Sequence, residues 1–526
     1  MNNNLALNKN NVKKVSSTRQ GKTTKEKVEN TYTEELILGI CSPIGSNRET
    51  VIDAITMRLD DYGYEVKTIK LSSFIEKYSN EEYERKVGET DSYTKLMHKI
   101  KGGDSLRKTF SNNSILVELA IKQIREDRKE KETTEVKSRR ICYIIDSLKN
   151  IEELRLLRSI YRELFYLFSI FSPEKERINK LIKKGLSEPE AKKIISADEF
   201  EDIIHGQNVR DTFVEADFFV RISESNKNEI KNKIKKYFHL IFNSDIITPN
   251  NNETAMYFAK SAAGNSACLS RQVGATITDK NGVTIARGWN DVPKFGGNLY
   301  RDIDTNSKRC KDLGHCSNVT HKDTIFEEIK KNINELFEEI KNNEKEKTNL
   351  RIIKNNGITD KVMGVIKNSK FKNIIEYSRS IHAEMHAIII GSQLTGDKMV
   401  GGSLYCTTYP CHNCARHIIL AGIKNVYYIE PYKKSLGMTL HNDALTEDEK
   451  VTNKVRLLPY DGVAPRRYLD FFSMNHTDRK DDSGKKIKVD LKNIKPKMRL
   501  SLQAIPTLEN QAIKALYECG LIKEEV

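Results

Sequence analysis

The 526-residue sequence has no apolar run approaching the roughly 20 residues that a membrane-spanning helix needs. Residues 1–30 are rich in Asn, Lys and Thr, and they lack the basic patch followed by an apolar stretch of a secretory signal. Nine cysteines in so long a chain do not indicate a disulfide scaffold; in a reducing compartment, clustered cysteines favour metal ligands or buried thiols. We therefore expect a cytoplasmic protein with no membrane partner and a disordered leader at residues 1–32.

The composition favours a folded protein with two cores. Hydrophobic residues make up 38% of the chain and charged residues 31%, and 526 residues exceed the length of one ordinary domain. The net charge of +15 favours anionic partners such as nucleic acid or nucleotides. A general enrichment in Lys, Asn and Ile explains the charge equally well, and no stripe of basic residues interleaved with aromatic ones marks a polynucleotide surface.

The order of elements predicts an α/β protein with two domains. Residues 35–72 are typical of a strand, a glycine turn, a helix and a strand, and three further apolar segments predict buried parallel strands in a first domain at residues 33–235. A helix near Thr254, a hairpin with Asn281 and Gly282 at its turn, and two further strands predict a second domain at residues 245–475. A turn of this kind needs positive φ at both central residues. Residues 476–526 form a lysine-rich, weakly helical tail.

Two short motifs in the second domain carry metal chemistry. The sequence HAE places His382 two residues before Glu384, and PCHNC places Cys411 and Cys414 at the start of a predicted helix. One histidine and two thiolates are three ligands for Zn²⁺ and leave the fourth tetrahedral position to water, as in a catalytic site. A carboxylate beside that water can move its proton. Taken separately, the cysteines also fit a redox pair or half of a structural zinc site completed by His412, His417 or Cys406.

Together the motifs resemble the signature H-x-E…P-C-x-x-C of the zinc nucleobase deaminases. The resemblance implies that His382, Cys411 and Cys414 hold zinc and that Glu384 is the general acid and base. His386, one turn after His382, is then a packed residue, a further zinc ligand or a substrate contact.

The flanking segments NSACLSRQVGATITDKNGVTIARGWN and LYCTTYPCHNCARHIILAGIKNVYYIEPY resemble the deoxycytidylate deaminases. This likeness implies a three-layer αβα fold. It also implies that Asn290 contacts the substrate sugar, that Arg271 contacts a phosphate or supports a loop, and that Tyr409 stacks on the base. The alternatives are a salt bridge for Arg271 and ordinary strand packing for Tyr409.

Over nearly its whole length the chain resembles the bacterial anti-phage dCTP deaminases, which join a P-loop kinase-like domain to a deaminase domain. The segments HGQNVRDTFVEADFFV, PYKKSLGMTLHNDAL and VAPRRYLDFF add to this likeness. It implies hydrolysis of dCTP, and of dCMP as a second substrate, to the deoxyuridine nucleotide, which lowers the dCTP pool during infection. It also implies a homo-oligomer. Lys433, Lys434 and Ser435 are then candidates for phosphate contacts, or a solvated pair of lysines beside a serine.

Two other function classes stay open. One is a deaminase of a base in tRNA or single-stranded DNA, and the other is a non-enzymatic nucleotide sensor with a closed, structural zinc site. Cys268, Cys310, His315 and Cys316 also leave open a second zinc, against buried reduced thiols.

The segment between the first strand and helix has the placement of a phosphate-binding loop, with Gly39, Gly45 and Ser46 as candidate nucleotide contacts. It departs from the usual motif, because the glycines are one residue too far apart and Ser46 stands where a lysine is expected. Without that lysine, phosphoryl transfer loses its charge clamp. We expect a degenerate P-loop domain that binds a regulatory nucleotide with help from Asp146, or else a purely structural sheet.

Overall fold

The computed structural model describes residues 23–80, 83–130, 139–199, 209–342, 358–369, 371, 377–431 and 435–523. The strands are β1 (Leu36–Cys41), β2 (Glu65–Lys70), β3 (Ile141–Asp146), β4 (Phe165–Phe171), β5 (Phe218–Arg221), β6 (Gly274–Thr278), β7 (Thr284–Trp289), β8 (Ser403–Thr408), β9 (Asn425–Glu430), β10 (Leu445–Thr446), β11 (Val455–Pro459) and β12 (Gly462–Val463).

The α-helices of the first half are α1 (Thr24–Glu29), α2 (Arg48–Asp61), α3 (Leu71–Tyr78), α4 (Asp91–Thr109), α5 (Ile115–Glu130), α6 (Ile151–Tyr161), α7 (Glu174–Lys183), α8 (Glu188–Glu199), α9 (Val209–Phe213) and α10 (Ile230–Phe242). Those of the second half are α11 (Asn251–Ala263), α12 (Cys310–Leu313), α13 (Ser317–Asn342), α14 (Ile358–Asn368), α15 (Ala383–Thr395), α16 (His412–Leu420), α17 (Gly437–Leu440), α18 (Tyr468–Phe472) and α19 (Ile505–Glu518). Short 3₁₀ turns lie at Arg162–Leu164, Lys227–Glu229, Gly396–Met399, Pro465–Arg467 and His476–Asp478.

The strands form two mixed sheets in which parallel pairing predominates, and helices pack around them. The first sheet has the order β12-β5-β4-β1-β3-β2, with every pair parallel except β12 with β5. The second has the order β10-β11-β9-β8-β6-β7, in which β6 runs antiparallel to both neighbours. The α/β class expected from the sequence is confirmed.

The first sheet is covered on both faces. All six residues of β1 and of β3 are buried, as expected for apolar strands of a parallel sheet under two layers of helices. Successive residues of β1 alternate between two cores: Ile37 and Cys41 belong to one, and Leu36 and Leu38 to the other. The first core continues into the second half of the chain, where it includes Tyr405 of β8.

Segments near both ends of the described chain pack beside the first sheet. Tyr32 forms an antiparallel bridge to Ser501, and helix α1 lies within the part of the leader that the structure describes, which departs from the expectation of disorder there. Helix α19 of the tail packs on α5, where Arg128 forms ion pairs with Glu35 and Glu509. The tail therefore completes the first core, because the apolar side of α19 is buried against it.

The second sheet is the middle of three layers. Gly274 of β6 faces α11, where an added Cβ would lie 1.9 Å from the carbonyl oxygen of Ala259. Gly288 of β7 faces α15, where an added Cβ would lie 2.4 Å from the carbonyl oxygen of Ala383. In the sheet Gly288 pairs with Ala275, the neighbour of Gly274, so the two glycines point to opposite faces. Helices α11 and α15 therefore cover the two faces.

The predicted hairpin is confirmed, with one correction at its turn. Strands β6 and β7 pair antiparallel, and Gly282 has φ +83°. Asn281 does not adopt positive φ, so the prediction for that residue was wrong. The turn is longer than two residues, since the amide of Asp279 donates to the carbonyl of Val283 and that of Gly282 donates to Asp279.

No helix in the described parts of the chain has both the length and the apolar character needed to cross a bilayer.

Candidate active site

Two helix starts meet at the candidate metal site. His382 is the N-cap of α15 and Cys411 is the N-cap of α16, and Cys414 lies in the first turn of α16. The amide of Cys414 points at the Cys411 sulfur, 3.5 Å away. A helix N-terminus favours negative charge, so the first turn of α16 stabilises a thiolate at Cys411.

The three predicted ligands come together in space. Nδ1 of His382 lies 3.3 Å from the sulfur of Cys411 and 3.3 Å from that of Cys414. The ligand atoms of the three residues all lie within 4.8 Å of one another. The pKa of Cys411 is lowered to about 4, chiefly by its hydrogen bond with Cys414, and the pKa of His382 is raised to about 9 by its hydrogen bond with Cys411. One nitrogen and two sulfurs around a common point fit a tetrahedral zinc ion.

Glu384 lies beside this triad on the first turn of α15. Its side chain is 4% exposed, and burial raises the pKa of the carboxyl although His382 acts in the opposite direction. Glu384 is not part of the ligand group, so its carboxyl is left to act on a substrate or on water. That position is the one a proton-transferring group requires.

The triad and Glu384 line a cavity of about 210 Å³. It opens between the β6–β7 hairpin, the start of α13 and the segment before α15. The lining contains Asn290, Arg271 and Tyr409, together with residues that the sequence did not predict as substrate contacts, namely Cys268, Ser270, Val273, Asn318, Ser378, Ser380 and Thr408. Ser378 and Ser380 closely precede His382, and that proximity was the one signal available for them.

Asn290 is buried in the lining, and its amide holds the neighbouring loop. The Asn290 side chain donates to the carbonyl of Arg271 at 2.9 Å and accepts from the amide of Val273 at 2.7 Å. The second amide hydrogen of Asn290 takes part in neither of these bonds. Arg271 is about half exposed at the cavity, and its guanidinium lies 3.4 Å from Glu430.

Tyr409 and His386 are both held by other protein groups. The Tyr409 hydroxyl donates to Glu447 at 3.0 Å, and the Tyr409 ring packs edge-on against Tyr428. His386 contacts the backbone of Trp289 through Nδ1 and Asn298 through Nε2 at 3.1 Å. Burial lowers the pKa of His386. Both ring nitrogens contact protein groups and His386 lies outside the ligand group found among the described residues, so it is a packed, hydrogen-bonded residue.

Comparison with known proteins places this site in a family. Residues 249–430 match the family model described as "Cytidine and deoxycytidylate deaminase zinc-binding region". The triad, Glu384 and all the residues that line the cavity lie within that span. This segment is a cytidine and deoxycytidylate deaminase domain. Its cofactor is zinc, and His382, Cys411 and Cys414 form the group of side chains that could hold it.

Individual relatives cover parts of the chain. ComE operon protein 2 of Bacillus subtilis (strain 168) is 52% identical over 56 residues, which are 11% of this chain and 29% of that protein. The deoxycytidylate deaminase of Enterobacteria phage T4 is 26% identical over 182 residues, which are 35% of this chain and 79% of the phage enzyme. A solved dCMP deaminase from cyanophage S-TIM5 aligns with 40% of this chain and 99% of its own, at 18% identity and a TM-score of 0.22.

The described part of the deaminase domain shows a single group of metal-ligand side chains. The sulfur of Cys316 lies 3.4 Å from the Ser270 hydroxyl, and that of Cys310 lies 3.8 Å from the Ser380 hydroxyl. His315 contacts the carbonyl of Leu313. These contacts fit reduced thiols and give no second zinc site among the described residues. Of the loop suggested for phosphate binding, Lys433 and Lys434 lie outside the described residues.

In the first sheet, the predicted glycine loop follows β1 at the carboxyl edge. Gly39 lies within the strand, where an added Cβ would be 2.6 Å from Leu148 and 2.7 Å from Phe165, so packing explains this glycine. Gly45 has φ +81° and packs against Arg177. Ser46 is fully buried, and its hydroxyl has no hydrogen-bond partner among the residues that the structure describes.

A carboxylate of the protein itself accepts from one backbone amide of this loop. The amide of Ile44 donates to Asp198 of α8 at 2.6 Å, and the same carboxylate accepts from Lys149 at 2.8 Å. Lys180 reaches the carbonyl of Ser46 at 2.8 Å. The loop has no lysine of its own, but two lysines that are distant in sequence, Lys149 and Lys180, lie beside it. Asp146, at the end of β3, forms an ion pair with Arg48 at 2.9 Å.

Proposed function

We propose that the chain is a hydrolase that converts a deoxycytidine nucleotide and water to the deoxyuridine nucleotide and ammonia. The observation that carries the proposal is the buried carboxyl of Glu384 beside three zinc ligands at the floor of a cavity. Bound zinc supplies the Lewis acidity that brings the pKa of water towards neutrality. Glu384 takes a proton from water at its carboxylate oxygen and delivers it to the ring nitrogen N3. It then takes the second proton that the water brought and delivers it to the amino group, which leaves as ammonia while the carbonyl at C4 forms.

The cavity suits a single pyrimidine base. Its volume of about 210 Å³ is below the roughly 300–1,000 Å³ typical of sites for drug-sized ligands, which suits one pyrimidine ring. Tyr409 is fixed at its hydroxyl, so its ring is a rigid wall for the base. Arg271 is half exposed at the mouth, where a guanidinium can meet a phosphate. The relatives named for dCMP support the same substrate class.

Within that class we propose dCTP as the main substrate, with dCMP as a second, acting in the cytoplasm of a cell defending itself against phage. The support is the resemblance of the chain as a whole to the anti-phage dCTP deaminases. A homo-oligomer belongs to the same proposal.

The test is ammonia release by the zinc-loaded full chain with dCTP, dCMP, CTP, deoxycytidine, single-stranded DNA and tRNA, each supplied alone. We expect turnover of dCTP and dCMP only. Glu384→Gln should abolish it while zinc content stays unchanged, and Asp397→Asn, which removes an exposed carboxylate beyond the same helix, should retain it. Turnover of the polymers alone would replace the substrate class, and undiminished activity of Glu384→Gln would refute the mechanism.

For the first sheet we propose a regulatory nucleotide at the loop of Gly45 and Ser46, which follows the strand that contains Gly39. Lys149 and Lys180 are the cations that would meet its phosphates, and Asp198 would have to leave the Ile44 amide. Binding of ATP to the Glu384→Gln protein tests this proposal. Asp198→Asn should increase the affinity because it removes the competing charge, and equal affinity in both proteins would contradict it.

A further inference from the structure

The carboxylate of Glu430 joins the two halves of the chain beside the substrate cavity. Glu430 ends β9, and its Oε1 accepts from Arg210 at 2.7 Å and from Arg271 at 3.4 Å. Its Oε2 accepts from the Thr408 hydroxyl at 3.4 Å. Its carbonyl accepts from the amide of Tyr409 at 2.8 Å. Both the backbone and the side chain of Glu430 are therefore fixed next to the cavity wall.

The two arginines come from different parts of the molecule. Arg271 lines the cavity, on the loop that Asn290 holds. Arg210 lies on α9, which packs at the end of β1 in the first sheet, where the carbonyl of Val209 lies 3.8 Å from the sulfur of Cys41. Glu430 therefore connects Arg210, which packs beside the first sheet, to Arg271, which lines the cavity.

The contacts are unequal, and the inequality has a chemical consequence. A carboxylate that pairs tightly with Arg271 would compete with a substrate phosphate for the same guanidinium, since both bind its planar donors. Arg210 holds Glu430 by the shorter contact, whereas Arg271 is about half exposed and only loosely paired. A loose, solvent-screened ion pair contributes little and exchanges readily. Arg271 thus stays oriented and available.

We propose that Glu430 is a positioning residue that orients Arg271 towards the phosphate of the substrate, and that Arg210 keeps Glu430 from neutralising Arg271. The inference rests on the proposed function, because it takes the substrate to be a nucleotide. Phosphate recognition in the deaminase domain then depends on a residue of α9 in the first sheet.

The test compares substrates with and without a phosphate, using the zinc-loaded full chain. Arg210→Met removes the charge and keeps the length of the side chain, so Glu430 should pair with Arg271 instead. We expect KM for dCTP and dCMP to rise by about 5- to 20-fold, within the range of coupling between linked sites, with kcat unchanged. KM for deoxycytidine should not change, because it has no phosphate. Arg210→Lys keeps the charge and should behave as wild type.

A second variant tests the sign of the coupling. Arg210→Met combined with Glu430→Gln removes the competing charge but keeps an amide oxygen that can still accept from Arg271 and orient it, so KM for the nucleotides should return part of the way to the wild-type value. A structural role of Arg210 would not produce this recovery. An unchanged nucleotide KM in Arg210→Met, an equal rise for deoxycytidine, or no recovery in the double variant would each overturn the proposal.

Binding measured by calorimetry separates this inference from the proposed function. The Glu384→Gln protein, with and without Arg210→Met, is titrated with dCTP and with deoxycytidine. If Arg210→Met weakens the binding of dCTP but not of deoxycytidine, the inference is supported even where the wild-type protein shows no turnover. Equal dCTP binding in both proteins contradicts it even where turnover is normal.

Discussion

The Nδ1 atom of His382 lies 3.3 Å from the sulfur of Cys411, and each residue caps the N-terminus of a different helix. Helix α15 approaches from one face of the second sheet and places His382 on the side where α16 begins. Because a cap residue has an extended backbone, its side chain can point across the gap between the helices. The position of α15 on the sheet therefore determines whether the ligands meet.

Cys414→Ser should lower the zinc content of the purified protein from one ion per chain towards none. Serine is a poor ligand for zinc beside a thiolate, and the structure provides no fourth residue to replace it within the described parts of the chain. Atomic absorption on dialysed protein gives the stoichiometry. Cys316→Ser is the matched control and should keep the full content. Two ions per wild-type chain, falling to one in Cys316→Ser, would instead place a second zinc at Cys316.

Gly288→Ala should impair both the zinc site and the fold. The new methyl group would lie 2.4 Å from the carbonyl of Ala383 and from the amide of Ala387, so α15 must move away from β7. Overpacking of this kind costs about 1–3 kcal/mol of unfolding free energy. Since α15 carries His382 and Glu384, zinc affinity and turnover should fall together with the melting temperature. Gly364→Ala, in α14 with no atom within 4 Å of the added methyl, should leave all three unchanged.

The sequence could place the members of the triad and Glu384 at helix starts, because local spacing determines where these side chains point, although it could not show that the two helix starts meet. Cys411 and Cys414 are three residues apart at the start of a helix, and His382 and Glu384 open another. Alternating and continuous apolar runs likewise predicted the strands β1, β3 and β4.

Contacts between distant segments could not be predicted in this way. Arg210 and Glu430 are 220 residues apart, and neither lies in a pattern that names the other. Asp198 of α8 accepts a hydrogen bond from the glycine loop, and β12, which belongs to the second half of the sequence, pairs with β5 of the first half. Gly39 was assigned to a loop because its segment has the placement of a phosphate-binding loop between the first strand and helix. Only the close approach of Leu148 and Phe165 shows that it lies in a packed strand.

Leu516→Ala should destabilise the first core, although the residue lies ten positions from the end of the sequence. Leu516 is fully buried in the core that α19 shares with α5 and α6. Truncation of a buried leucine to alanine typically costs about 2–5 kcal/mol. The midpoint of urea unfolding measures the loss. Gln511→Ala, at an exposed position on the same helix, should leave the midpoint where it is; equal midpoints for both variants would show that α19 does not belong to the core.

His239 should make stability fall as the solution becomes acidic. It lies 2.7 Å from the Ser244 hydroxyl, and burial lowers its pKa in the folded protein, helped by the cations Lys235, Arg58 and Lys486 and opposed by Asp245. The folded state therefore favours the neutral ring, while the unfolded chain takes up a proton at its ordinary pKa of about 6.5. The stabilising contribution is present above that pH and is lost as the pH falls through it towards the lower folded pKa. His239→Gln cannot be protonated, so its urea midpoint should decrease less between pH 7.5 and pH 5 than that of the wild type. His98→Gln, which replaces a partly exposed histidine on α4, serves as the comparison. If the urea midpoint decreases more steeply in His239→Gln than in the wild type and in His98→Gln, the folded protein prefers the charged ring.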